Sequence, residues 1–390
     1  MKVGRAAAAG EASKYGYPGE RERATLRAAS ALATWQLELS GSAAWRGLSG
    51  SGEASCPSAV RVLVGRAQSG YALGMRVRVR VPATSANLGP GFDALGMALA
   101  LYNEVSIAES DSHALVVSIE GEGAGRLDTG GGNVVARGAR MAFEAAGRPF
   151  RGAAIHCVNR IPLSRGLGSS AAAWVGGLAG ANALLGDPID REGLVALAAR
   201  AEGHPDNVAA AVHGGLTVSC ADGPAVGAVS LPVPPALRFV VLVPALESAT
   251  REARAVLPKE VSRADAVFNV QRVSLLLAAF ASGRIDLLST AMHDRLHQPY
   301  RLRLFPWMDA VAAAAREAGA LGCVLSGAGP SMLAVVPGAA DAVARAMAES
   351  LAAAGLAGRA LELEVDVEGV VRLDREGGSR SVSPGTGPVP

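Results

Sequence analysis

Residues 162–174 read PLSRGLGSSAAAW. A proline turn, two glycines around Leu167 and two serines lead into a run of small helix formers. This order is typical of a loop that opens a helix, because glycine lets the backbone approach a ligand and Ser169 or Ser170 can cap the helix. Such a helix start presents unpaired N–H groups and the positive end of the helix dipole, which together suit an anion. The stretch therefore predicts a phosphate-binding loop.

A second interpretation of this loop is a plain tight connection, since glycine-rich turns before helices are common. A Walker A loop is excluded because it requires a lysine in the loop, and the lysines of this chain lie at positions 2, 14 and 259. A nucleoside triphosphate would have to be held by backbone N–H groups, a helix dipole, arginines and a metal ion.

Length and composition indicate a globular protein of two domains, with 390 residues of which half are apolar and 18% charged. Residues 1–74 carry nine basic and five acidic side chains, and the remainder carries 28 basic and 30 acidic ones. This near-neutral body argues against nucleic acid or an anionic membrane as a partner. The N-terminus lacks the apolar core of a signal peptide, and no stretch reaches the ~18 uninterrupted apolar residues of a membrane span. We therefore expect a cytoplasmic protein.

The cysteines at positions 56, 157, 220 and 323 fit no metal-binding spacing. We expect them to be reduced and mostly buried.

The chain divides into four segments by its patterning. Residues 1–74 show no sustained period and are predicted to be a disordered extension. From position 75 the alternation of Val77, Val79 and Val81 with arginines predicts a half-buried strand. The proline-rich linker 231–237 separates a domain at 75–235 from one at 236–376, and 377–390 is predicted to be a disordered tail.

Three glycine loops lie at strand ends. Their three sequences, taken together and in this order, are more informative than any one loop alone. They read VPATSANLGPGFDALG at 81–96, PLSRGLGSSAAA at 162–173 and LSGAGPSMLA at 325–334. In this order they resemble the three motifs of the GHMP kinase superfamily. The segments EGHPDNVAAA (202–211), TREARAVLP (250–258) and DRLHQPYR (294–301) resemble its homoserine kinase branch. The resemblance spans about residues 75–370.

The resemblance implies an α+β two-domain GHMP kinase fold. Its N-terminal domain would be like domain 2 of ribosomal protein S5 and its C-terminal domain ferredoxin-like, with the active site between them. The implied activity is transfer of the γ-phosphoryl group of ATP to the hydroxyl of L-homoserine, in threonine synthesis.

Glu202 lies at a predicted helix end, where a solvated surface acid is the plainer interpretation. Beside a triphosphate it is a reasonable Mg²⁺ ligand, with Ser170 as a second oxygen. The resemblance implies the same pair for Mg²⁺ and implies that the loop from position 162 to 172 wraps ATP. The loop residues are Pro162, Leu163, Ser164, Arg165, Gly166, Leu167, Gly168, Ser169, Ser170, Ala171 and Ala172.

Homoserine is a zwitterion, so its site requires cations for the carboxylate and acceptors for the ammonium group. Arg254 and Arg301 can grip a carboxylate bidentately, although singly each is more often a surface charge. The resemblance implies substrate-binding roles for these arginines and for Asn87, Asp93 and Thr250.

The resemblance also implies that His204, Asp206 and Asn207 lie near the reacting hydroxyl. Asp93 and Asp206 are candidates for a general base by residue type, and neither is assigned that role here. A homodimer is one of the oligomeric states left open.

Two alternatives remain beside this hypothesis. The substrate could be another small alcohol, such as mevalonate or shikimate, or the chain could be a non-catalytic paralogue that binds a small molecule. The spacing of His293 and His297 could suggest zinc, but HDRLH lacks the glutamate that an HExxH metalloprotease requires.

Overall fold

The computed structural model describes residues 76–110, 114–373 and 379–381. The predicted extension at 1–74 lies outside the described residues. The strands are β1 (Arg76–Ala86), β2 (Leu95–Glu109), β3 (Leu115–Gly121), β4 (Ala153–Asn159), β5 (Leu216–Asp222), β6 (Ala225–Leu231), β7 (Leu237–Pro244), β8 (Gly322–Leu325), β9 (Met332–Pro337), β10 (Gly358–Leu363), β11 (Val371–Leu373) and β12 (Ser379–Ser381).

Ten α-helices lie in the same described part of the chain. They are α1 (Val134–Ala145), α2 (Ser169–Leu184), α3 (Arg191–Glu202), α4 (Asp206–His213), α5 (Thr250–Ala255), α6 (Arg263–Ser282), α7 (Leu288–Ala291), α8 (Gln298–Arg301), α9 (Met308–Glu317) and α10 (Asp341–Ala353). A 3₁₀ turn at Ile285–Leu287 precedes α7.

A large sheet forms the first layer of the fold. Its strands run in the order β12-β11-β1-β2-β4-β3, and β5 with β6 extends it from β2. All neighbours are antiparallel except β3 and β4. In β1 the valines 77, 79 and 81 are buried while Arg76 and Arg78 are exposed, as the alternation predicts.

Helix α2 packs against this sheet and is buried on nearly all sides, as its apolar sequence predicts. Its glycines permit the close approach. A Cβ at Gly176 would lie 2.8 Å from Val105 Cγ2 of β2, and one at Gly177 would overlap the backbone carbonyl of Val135 in α1. The nucleotide-binding loop is thus followed by a rigid central helix.

A smaller sheet with the order β10-β7-β9-β8 forms the second layer. Alternate residues of β7 point to opposite faces of the small sheet and pack into two different hydrophobic cores. Val240 and Leu242 join a cluster with α9 and α10, whereas Phe239 and Val241 join the larger core that also contains the large sheet. The small sheet is therefore covered on both faces, and one core continues between the two layers.

After β10 the chain returns to the large sheet. Leu99 and Val365 form an isolated bridge, and β11 pairs with β1. The predicted boundary of the second domain at 376 therefore does not coincide with the sheets. Ser379–Ser381 pair with β11, so the predicted disordered tail is structured over these three residues, through main-chain pairing that requires no apolar pattern.

Helix α3 ends at Glu202, where the sequence predicts a helix end. Helix α6 is long and apolar enough to cross a membrane by length and composition alone. Its Asn269 is buried and donates hydrogen bonds to the Pro90 carbonyl and to Asp294. Cys157 and Cys323 are buried and free, as expected, but Cys220 is exposed.

Candidate active site

The three glycine loops meet at one cavity of about 140 Å³. It is lined by Asn87, Phe92, Asp93, Ser164, Arg165, Gly166, Leu167, Gly168, Ser169, Ser170, Glu202, His204, Asp206, Asn207, Ser248, Thr250, Arg254, Arg301, Gly327 and Ala328. Residues from both sheet layers contribute, so the cavity lies between them.

The phosphate-loop candidate is held in a conformation that favours glycine. Gly166 and Gly168 have φ of 73° and 66°. A Cβ at Gly166 would overlap the carbonyl of Ser326, and one at Gly168 would overlap the hydroxyl oxygen of Thr84. The backbone N–H of Thr84 donates to the Leu167 carbonyl at 3.1 Å, which fixes the loop to β1.

The loop leaves a row of main-chain donors free. Within the described structure, no hydrogen bond partner is found for the N–H groups of residues 168–171, whereas the N–H of Ala172 bonds the Gly168 carbonyl. The predicted serine cap of α2 is wrong. Ser169 and Ser170 already lie inside the helix, so the N-cap is Gly168. Glycine has no side chain that could accept a hydrogen bond from the free N–H groups. An uncapped helix start is a suitable site for an anion.

Four of the predicted loop residues do not line this first cavity. The side chains of Ala171 and Ala172 are fully buried in the core and line neither cavity of this region, because α2 has already begun there. Pro162 is buried beneath the loop, and Leu163 lines a neighbouring cavity.

Ser170 and Glu202 lie side by side, although 32 residues separate them. The Ser170 hydroxyl donates to Glu202 Oε2 at 2.7 Å, joining the start of α2 to the end of α3. Two hard oxygen ligands beside free N–H groups fit Mg²⁺, which prefers one or two protein oxygens and takes the rest from phosphates and water.

The neighbouring cavity, of about 340 Å³, shares Ser164, Ser169 and Ser170 with the first. The rest of its wall is mostly apolar but includes three asparagines. These residues are Asn103, Ile119, Leu127, Asp128, Gly132, Asn133, Val134, Val135, Cys157, Asn159, Leu163 and Ala173. An apolar cleft with a few polar groups is suited to a flat organic group such as a base. No motif in the sequence pointed to this cavity.

Asp93 and Arg254 are paired with each other. The guanidinium donates two hydrogen bonds to the carboxylate, at 2.6 and 3.0 Å. These bonds to Asp93 raise the pKa of Arg254. A group proposed to bind a substrate carboxylate and a group proposed to bind an ammonium therefore neutralise each other across the cavity.

Arg301 is 2% exposed and is largely held by the protein itself. Its Nε donates to the Ala253 carbonyl at 3.1 Å, and its Nη1 contacts the Gly327 carbonyl and His297 Nδ1, each at 2.9 Å. Burial, with the charge of Arg254, lowers the pKa of Arg301 to about 10. Only Nη2 has no partner among the described atoms, so it is the nitrogen of Arg301 that is free to bind a ligand.

His204, Asp206 and Asn207 form one network at the start of α4. Asp206 Oδ1 accepts hydrogen bonds from His204 Nδ1 at 2.6 Å and from the Asn207 backbone at 2.7 Å. Asn207 Oδ1 accepts a bond from the Thr84 hydroxyl at 2.8 Å. Burial lowers the pKa of His204, but the hydrogen bond and charge of Asp206 outweigh it and raise that pKa above its usual value.

Asn87 and Thr250 also line the cavity. The Asn87 amide donates to the Gly327 carbonyl at 2.9 Å and accepts from the Asp93 backbone at 3.0 Å. Its side chain therefore joins two glycine loops. Thr250 begins α5, one turn before Arg254.

Sequence reasoning missed Phe92, which lies under both arginines. The guanidinium carbons of Arg254 and Arg301 are 5.6 and 5.7 Å from its ring centroid. It also missed Ser248, whose N–H donates to the Ser164 carbonyl at 2.9 Å. An aromatic residue inside the glycine loop GPGFD was the available signal for Phe92.

Comparison with known families identifies the class. The model for the N-terminal domain of GHMP kinases matches residues 133–215, and the model for the C-terminal domain matches residues 276–353. The fold is thus that of a GHMP kinase, and the matched residues include the glycine loops at 162–173 and 325–334.

Individual relatives define the family within that class. The homoserine kinase of Moorella thermoacetica is 51% identical over 71% of this chain and 93% of its own length. That of Carboxydothermus hydrogenoformans is 44% identical over 76% and 97%. The chain belongs to the homoserine kinase family.

Solved structures of other proteins agree with this family assignment. The homoserine kinase of Cytophaga hutchinsonii has a TM-score of 0.72 and 31% identity, covering 78% of this chain and all of that one. A mevalonate kinase, at 13% identity and a TM-score of 0.54 over 75% of this chain and 99% of that one, shares the fold. The predicted two-domain α+β GHMP kinase fold is confirmed.

Proposed function

We propose that this protein transfers the γ-phosphoryl group of ATP to the side-chain hydroxyl of L-homoserine, giving O-phospho-L-homoserine and ADP in threonine synthesis. One observation carries the proposal. The free N–H groups of residues 168–170 share a cavity with Ser170, Glu202 and the Asp93–Arg254 pair. An anion site and a zwitterion site therefore lie within one enclosure, as transfer between two bound substrates requires.

The triphosphate is assigned to the loop 164–170 and the N–H groups of 168–171, where main-chain donors and the α2 dipole meet its charge. The nucleoside is assigned to the neighbouring cavity of about 340 Å³, which opens from the same serines. The base would lie among Ile119, Leu127 and Val134.

Ser170 and Glu202 would hold Mg²⁺, since their oxygens are already adjacent. The ion would neutralise negative charge on the phosphates.

Binding of homoserine would break the Asp93–Arg254 ion pair and give each of these two side chains a new partner on the substrate. Its carboxylate takes Arg254 and Nη2 of Arg301, and its ammonium group takes Asp93. The exchange keeps charges paired before and after binding, and it gives the desolvated Arg301 a counter-ion. A substrate with one charge would leave one member of the pair uncompensated.

His204 and Asn207 would orient the reacting hydroxyl. Asp206 is 2% exposed, and its Oδ1 already accepts hydrogen bonds from His204 and Asn207, which favours a positioning role over that of a general base. Phosphoryl transfer depends chiefly on positioning and charge stabilisation, so this arrangement requires no dedicated base.

The test is ADP release with L-homoserine, mevalonate and shikimate, together with two partial substrates. 4-Hydroxybutyrate lacks the ammonium group, and 3-aminopropan-1-ol lacks the carboxylate. We expect kcat/KM to be greatest for L-homoserine. Preference for another alcohol would support the alternative GHMP kinase, and ligand binding without any ADP release would support a non-catalytic paralogue. A cytoplasmic location and a homodimer stay predictions.

A further inference from the structure

The turn Asp294–Arg301 contains a buried histidine that the reaction does not use directly. His297 has no exposed surface and is the N-cap of α8, the short helix that ends in Arg301. Its ring stacks on Phe92 with centroids 5.2 Å apart. It therefore lies behind the substrate half of the cavity, next to Arg301 and away from the nucleotide loop.

The hydrogen bonds of His297 fix its tautomer. Nε2 is 2.8 Å from the carbonyl of Gly89, and because a carbonyl only accepts, Nε2 must carry a hydrogen. Nδ1 is 2.9 Å from Arg301 Nη1, and because a guanidinium only donates, Nδ1 must present its lone pair. Both bonds require the neutral imidazole. Burial lowers the pKa of His297 to about 4, which keeps it neutral at physiological pH.

The turn that carries His297 is itself held firmly. Asp294 Oδ2 accepts the N–H groups of His297 and Gln298 at 3.0 and 2.7 Å. Asp294 Oδ1 accepts from the Asn269 amide at 2.8 Å, which ties the turn to α6. The imidazole is thus supported on its backbone side and on its ring side.

Arg301 has five N–H donors, and His297 accounts for one of them. The carbonyls of Ala253 and Gly327 take two more. The two remaining donors are both on Nη2. Without the His297 acceptor, one Nη1 hydrogen would be unsatisfied in a buried place, and the guanidinium could rotate to recover a partner.

We infer that His297 is a positioning residue for substrate recognition: its Nδ1 holds Nη1 of Arg301 so that Nη2 faces the substrate carboxylate. The inference rests on the proposed function and adds to it the group that orients the carboxylate-binding arginine. His297 itself need not touch homoserine.

Two substitutions separate the two sides of the ring. His297→Asn keeps an acceptor near the position of Nδ1, and His297→Gln keeps a donor near the position of Nε2. We expect the KM for homoserine to rise about tenfold in His297→Gln, as loss of a hydrogen bond to a charged group implies, and less in His297→Asn. The KM for ATP should change less than twofold, as it should for both substrates in His293→Gln, an exposed histidine four residues earlier.

Two further measurements distinguish positioning from a general loss of structure. Turnover of 3-aminopropan-1-ol, which has no carboxylate, should be equal in the wild-type protein and His297→Gln. In an Arg301→Leu background, His297→Gln should raise the homoserine KM no further. Additive effects in that cycle, or an equal loss with the carboxylate-free substrate, would overturn the inference.

The wild-type protein also provides a test that requires no variant. Nitrogen-15 NMR of labelled histidine should find His297 neutral with its hydrogen on Nε2, and a hydrogen on Nδ1 would overturn the inference. A wild-type protein that does not phosphorylate homoserine would instead refute the proposed function, so the two failures are distinguishable.

Discussion

The two halves of the cavity are built from different parts of the chain. The nucleotide half consists of main-chain groups from one continuous stretch, with N–H donors at 168–171 and left-handed glycines at 166 and 168. The substrate half consists of side chains from remote segments, chiefly Asp93, Arg254 and Arg301. The first half is fixed by backbone conformation, and the second by hydrogen bonds that can exchange partners.

This difference determines which substitutions each half of the cavity tolerates. A main-chain site withstands many side-chain changes but not an added Cβ where the backbone approaches a neighbour. A side-chain site withstands backbone adjustment but depends on each charge. The two halves are joined where the Ser248 N–H donates to the Ser164 carbonyl and where Glu247 pairs with Arg126 and Arg165.

The largest effect is expected for Gly168→Ala. The new methyl group would overlap the Thr84 hydroxyl and lie 3.2 Å from Asn207 Oδ1, at a φ of 66° that strains any side chain. Since a misplacement of about 1 Å can cost about a hundredfold, we expect kcat/KM to fall on the order of a thousandfold with the clash added. Steady-state kinetics and thermal unfolding measure it.

Gly147→Ala is the matched control for that variant. Gly147 has a similar φ of 65°, but its added Cβ would meet nothing within 4 Å. It should lose a little stability and keep its activity. Equal losses of kcat/KM in the two variants would mean that backbone strain, and not the contact with Thr84, reduces the activity of Gly168→Ala.

The next effect is expected for Glu202→Gln, on the boundary between the halves. The amide keeps the shape but removes the charge beside Ser170, so the metal site is weakened while the N–H groups that hold the phosphates remain. We expect kcat to fall on the order of a hundredfold, as for loss of one electrostatic group at a reacting centre, while ATP still binds weakly. Turnover and ATP titration are the measurements.

Glu192→Gln in the same helix α3 provides the comparison, because Glu192 is exposed in its first turn and lies outside the cavity. Its kinetics should match those of the wild-type protein. If Glu202→Gln behaves like Glu192→Gln, the assignment of Glu202 to the metal is wrong.

A smaller and more selective effect is expected for Arg254→Leu. Removal of the guanidinium leaves Asp93 without its partner and the substrate carboxylate without one of its cations. We expect the KM for homoserine to rise on the order of thirtyfold, the cost of a charge-assisted hydrogen bond, with little change for ATP. Arg251→Leu, an exposed arginine of the same helix, is the control. Equal effects on the two substrates would remove the distinction between the halves.

The same contrast explains how far the sequence could be interpreted alone. The loop at 162–172 was predictable because glycine spacing and a helix start are local signals, and the alternation of valines and arginines in β1 is also local. The pairing of Asp93 with Arg254 and the engagement of Arg301 by carbonyl groups join segments far apart in the chain, and no local pattern encodes them. The short strand β11 could not be predicted for the same reason, since main-chain pairing with the distant strand β1 places it.

The smallest effect expected is a dependence of stability on pH through His204, which lies between the halves. The bond to Asp206 raises the pKa of His204 above its usual 6.5 in spite of burial. The protonated form is therefore favoured by folding, so its stabilisation is complete below pH 6.5 and is lost as pH rises through the folded-state pKa. The difference in Tm between the wild-type protein and His204→Asn should shrink over that interval, measured by thermal unfolding from pH 5.5 upward. His293→Asn, which changes an exposed histidine outside the cavity, should show no such trend. A difference that instead grows with pH would mean that His204 is neutral beside Asp206 in the folded protein.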